Sequence, residues 1–123
     1  MSITEYLVRD IPCAGANAVQ GGFEVQFADG TARPATDIEV LQATRAYKVA
    51  AINAECRARL VARFGDALEQ NSRAVGAYGD AEQAALKPGI EAMIDASNAA
   101  SNAVLAATDL AEVEAVTVTW PAI

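Results

Sequence analysis

Histidine is absent from this chain of 123 residues, and with it the side chain that most often serves as general base, nucleophile partner and metal ligand. Positive charge is scarce too: nine Lys and Arg stand against sixteen Asp and Glu, a net charge of −7 that opposes binding to a phosphate backbone or an anionic membrane. No apolar run approaches the ~18 residues of a membrane span. The opening residues Met1 to Tyr6 carry neither a basic n-region nor an apolar h-region, so no signal peptide and synthesis in the cytoplasm are expected. Only two cysteines occur, Cys13 and Cys56, far apart and without the paired spacing of a zinc site or redox motif.

The remaining routes to chemistry are equally bare. Gly15, Gly21 and Gly22 lack the Lys-Ser/Thr ending of a phosphate-binding loop. Asp109, Glu112 and Glu114 cluster where a helix begins, which suits its dipole, and no tight acidic loop with a glycine suggests calcium. A cysteine nucleophile at either position would need an activating neighbour, and Cys56 falls in mid-helix on an apolar stripe. The sequence therefore predicts a protein that is not an enzyme, with no catalytic residue, cofactor or metal.

What is present is helix. Thr36 to Phe64 reads as one long helix, about 40 Å at 1.5 Å per residue, longer than a domain of this size is wide. Pro34 discourages an earlier start, Thr36 and Glu39 form a reciprocal capping box, and Gly65 ends it. Its main stripe runs through Ile38, Leu41, Arg45, Val49, Ile52, Cys56, Leu60 and Phe64, an eleven-residue repeat suited to nearly straight packing. These eight residues are the expected packing or oligomer interface. Arg45 is its one charge, which in a packed seam must find an acid or snorkel out to solvent. A weaker second stripe passes through Val40, Tyr47, Ala51, Ala54, Ala58 and Val61, whose small members admit a close neighbour. Two partners remain open for the main stripe: copies of the helix, with a homotrimer favoured, or the second half of the same chain.

Alanine supplies much of the 53% apolar content, so the core is thin and points to oligomerisation. Residues 1 to 34 are expected to form an N-terminal docking segment, with a strand at Ile3 to Val8, a loop from Pro12 to Gly22 and a strand at Phe23 to Phe27 turning at Asp29-Gly30. Residues 35 to 123 make the helical region: a short helix near 66 to 75, a segment from Asp80 kinked or divided at Pro88-Gly89, a secure helix over Ile90 to Ala107, a short helix capped by Thr108 or Asp109, and a strand at Val116 to Trp120. The fold class is mainly α, a long helical hairpin or bundle with a small N-terminal β-hairpin and a short C-terminal strand. Arg57, Arg59, Arg63 and Arg73 are expected to pair with Glu55, Asp66 or Glu69. Cys13, after Pro12 in a Gly/Ala-rich stretch, is either a free thiol like Cys56 or the site of a disulfide between subunits, formed in an oxidising environment.

Ala51 to Phe64, then Glu69-Gln70-Asn71 and Arg73-Ala74, resembles small proteins of tailed bacteriophages encoded among tail-fibre and baseplate genes. Their pattern is a helix of the form Ile-Asn-x-x-x-x-x-x-Ile-x-x-x-Phe, a Lys-Gln-x-Asn element and a second long helix. Ser97 to Ala103 and the closing Leu110 to Pro121 are similar to the end of the same group. The chain departs from it at Gly65-Asp66, where a proline is usual, at Leu68-Glu69 in place of Trp-Lys, and at Gln70 and Asn71, which are adjacent without a spacer. The resemblance implies a structural or attachment component of a phage tail, made in the host cytoplasm and located in the virion, with other tail proteins as partners. The alternative it implies is a tail-fibre assembly chaperone.

Overall fold

The computed structural model describes Met1–Ile123 and is mainly α, 63% helical. In chain order come α1 (Ile3–Asp10), β1 (Gly15–Val19), β2 (Gly22–Gln26), β3 (Ala32–Pro34), α2 (Asp37–Phe64), α3 (Ala67–Ala74), α4 (Asp80–Ala106) and α5 (Leu110–Ala115). The chain forms two compact units, one of Met1–Ala50 with Val104–Ala115, the other of Ala51–Ala103 with Val116–Ile123. The N-terminal segment shares its unit with the first half of α2 and with α5.

In the first unit, residues 3 to 10 form a helix where a strand was expected. Ser2 caps it, accepting the Glu5 amide at 3.3 Å. Ile3, Tyr6, Leu7 and Ile11 recur at helical spacing, and Leu7 and Ile11 are buried with Val25 and Ala43. The expected loop also contains a strand, β1, antiparallel to β2, with Val19 opposite Gly22. Gln20 and Gly21 close this hairpin, and Gly21 at φ 83° takes the left-handed position of a two-residue turn. The second turn falls where Asp29-Gly30 places it: Asp29 accepts the amide and hydroxyl of Thr31 at 2.9 and 2.6 Å, which holds its carboxyl below the ordinary range. β3 ends in Pro34 at the sheet edge, where the missing N–H breaks no ladder.

The long helix starts and stops as its sequence dictates. Glu39 accepts the Thr36 amide at 2.9 Å, Thr36 Oγ1 accepts the Glu39 amide at 3.2 Å, and Gly65 leaves the helix at φ 82°.

In the second unit α2 and α4 lie antiparallel, since Asn53 meets Ser97 at 3.2 Å and Cys56 Sγ donates to the Met93 carbonyl at 3.6 Å. Pro88 does not divide α4, which runs unbroken through it. The carbonyl a proline orphans lies four residues back, at Ala84, and Ala84 is exposed and can bond water. Asp66 caps α3 in a second capping box with Glu69. The Val116 to Trp120 run is not a strand. It keeps an alternating exposure but has no ladder partner.

Candidate functional site: an apolar groove at the start of the long helix

The first unit contains an open groove of about 660 Å³ between the β1–β2 turn, the first turns of α2 and the start of α5. Gly21, Gly22, Phe23 and Ala35 line one part, Asp37, Ile38, Val40 and Leu41 another, and Thr108 to Ala111 the third. Local bonds hold each wall. Arg33 grips both oxygens of Glu39, at 2.7 and 3.0 Å, and so ties β3 to the first turn of α2. This fork, with the Thr36 amide, lowers the Glu39 carboxyl to about 2 from its ordinary 4.5 and raises Arg33. Asp109 is engaged as the cap of α5, accepting the Glu112 amide at 2.8 Å, while Glu112 accepts the amide and hydroxyl of Thr108. The groove is thus a surface of Phe23, Ile38, Val40, Leu41 and Leu110 with Asp37 at its rim. It can hold apolar side chains. It presents no nucleophile beside a base, and no three His, Cys, Asp or Glu gather where they could hold a metal ion.

The eight residues of the main stripe are divided by the fold. Ile38 is 68% exposed and, with half-buried Leu41, belongs to the groove. Arg45 finds no acid: within the first unit it donates through Nη2 to the carbonyl of Ala107, while its Nε is buried without a partner. Val49 and Leu60 are half-buried, and Ile52, Cys56 and Phe64 are buried in the second unit. Those three have almost no surface left for another chain. Cys13 is half-buried and packed against the core of Leu7, Ile11, Val25 and Ala43. The two thiols lie in different units and are free.

The arginines near the end of α2 meet the expected pairing at Arg59 and depart from it at Arg63 and Arg73. Arg59 pairs with Glu55 at 3.0 Å and lies over the Trp120 ring, 5.1 Å from its centroid. Arg63 and Arg73 both converge on Glu82, at 2.8 and 2.6 Å, in place of Asp66 or Glu69. The two cations hold the Glu82 carboxyl below its usual range, the Arg63 bond contributing most. Glu82 was invisible as their partner because it lies on α4. Gln70 donates from Nε2 to the Gly65 carbonyl at 3.0 Å, closing the elbow between α2 and α3.

Exposure is the remaining property of the surface. Thirteen large apolar side chains, among them Ile38, Tyr47, Val61, Leu68, Val75, Ile94 and Leu105, are exposed, as many as the thirteen apolar residues in the core. No protein-family model, curated protein or solved structure matches the chain.

Proposed function

We propose that this protein is a non-enzymatic structural or attachment component of a bacteriophage tail, in the fibre, baseplate or collar region. The observation that carries the assembly half of this reading is the balance of apolar surface: as many large apolar side chains face solvent as there are apolar residues in the core. The phage half rests on the resemblance of Ala51 to Phe64, Gln70-Asn71 and the closing segment to small tail proteins. Docking to other tail proteins would use the first unit, where the groove beside Ile38 and Leu41 offers an apolar seat and β1 has a strand partner on one side only.

Mass spectrometry of purified virions tests the reading. The chain is expected in the particle at a fixed ratio to the other tail proteins. Its absence from virions, together with its recovery bound to fibre protein from infected cells, would replace this reading with that of an assembly chaperone.

A further inference from the structure

The weaker stripe of α2 emerges in the fold as its outer face. Tyr47, Ala51, Ala54, Ala58 and Val61 are all exposed, Tyr47 at 41% and Val61 at 49%. Their spacing of four, three, four and three residues is that of a heptad seam, unlike the eleven-residue repeat on the buried side. An uninterrupted helix presents this row, and nothing in the chain covers it.

We propose that two copies of this chain pair antiparallel through the outer face of α2, about a two-fold axis between Ala51 and Ala54. Size and charge select this arrangement. The antiparallel register sets Ala51 against Ala54 of the second copy and Tyr47 against its Ala58, so the bulky Tyr47 meets a small residue and the backbones approach closely at the centre. A parallel pair would set Tyr47 against Tyr47. The flanking positions decide more sharply. Lys48 and Glu55 sit on the same side of the seam, one turn either side of the axis, so an antiparallel pair brings each Lys48 to the Glu55 of the other copy, twice by symmetry. A parallel pair sets alanine against each flanking charge, Ala50 beside Glu55 and Arg57 beside Ala62. Lys48 has no ion-pair partner in its own chain, and Glu55 accepts Arg59 through Oε1 alone, leaving Oε2 for a second cation.

The self-paired part of the seam, Tyr47 to Ala58, is about 17 Å long at 1.5 Å per residue, which makes a small interface. A weak association is expected, at the low end of specific contacts in size. The inference concerns the isolated protein, so its failure leaves the tail assignment standing.

Sedimentation velocity of the full chain over a concentration series is the test, run with Lys48→Glu, Glu55→Lys and the double exchange. These side chains lie outside the core, and circular dichroism should show each variant folded. The expected result is a reversible dimer that either single reversal weakens at least ~10-fold, since each creates two like-charge contacts, and that the double exchange restores. A strict monomer at ~1 mM, a trimer, or a dimer indifferent to both reversals would overturn the proposal.

Discussion

Phe64 lies so close to Gly89 that a Cβ added there would sit 2.6 Å from the ring Cζ. The glycine therefore stands inside α4 for lack of a side chain. On propensity alone Gly89→Ala should stabilise an interior helical position by about 1 kcal/mol. The clash with a fully buried ring opposes this, and overpacking of a tight core costs about 1–3 kcal/mol. A net loss of stability is expected on urea unfolding. A gain of the propensity value would mean the ring is not seated there.

Arg45 anchors the chain just past the end of α4 by donating to the Ala107 carbonyl. Ala107 is buried, so little water can replace that donor. Arg45→Leu should cost about 1–2 kcal/mol, the penalty of an unsatisfied buried acceptor, despite the apolar surface leucine adds. Denaturant midpoints with unchanged slope would report it. Equal or higher stability would remove Arg45 from this role.

Acid should act through Glu39. Its folded carboxyl is held at about 2, below the ordinary 4.5, so its contribution is complete above pH ~4.5 and is lost as pH falls through the folded value. Glu39→Gln keeps a capping-box side chain but not the ion pair. The wild type should lose more stability than this variant between pH ~5 and ~2. Parallel losses in thermal scans would dissociate the Arg33 fork from acid sensitivity.

Glu82 bridges Arg63 from α2 and Arg73 from α3, and Arg73 Nε also donates to the Phe64 carbonyl at 2.9 Å. Glu82→Gln should lower the melting temperature at low salt, with the difference narrowing as the Debye length shrinks from ~10 Å at 0.1 M to ~3 Å at 1 M. A salt-independent difference would show that the hydrogen bonds matter and the charges do not.

The thiols should differ in reactivity. Cys56 is 7% exposed and should react with a soluble disulfide reagent only on unfolding, whereas half-buried Cys13 should react in the native protein, if slowly. Two equally fast thiols under native conditions would contradict the packing of Cys56 against α4.

Much of this fold is written in short stretches of residues. Thr36 and Glu39 start α2, Gly65 ends it, and Asp29-Gly30 turns the chain, because each device acts within one helical turn or hairpin. Ile3 to Val8 forms a helix in place of the expected strand, and Gly15 to Val19 a strand within the expected loop, for a reason of the same scale. Segments so short support two periodicities, and packing against Val25 or pairing with Phe23 to Gln26 chooses between them. Val116 to Trp120 has the composition of a strand, but a strand needs a hydrogen-bonding edge and none receives it.

The sequence alone determined the helical class, the ends of the long helix and its two apolar faces, since caps and periodicity are local properties of the chain. Which face turned inward was decided only by tertiary structure. Ile52, Cys56 and Phe64 are buried in the chain's own core, while Tyr47, Ala51, Ala54, Ala58 and Val61 remain exposed. Burial depends on what distant residues such as Met93 and Gly89 bring to the helix, and no spacing within α2 carries that information.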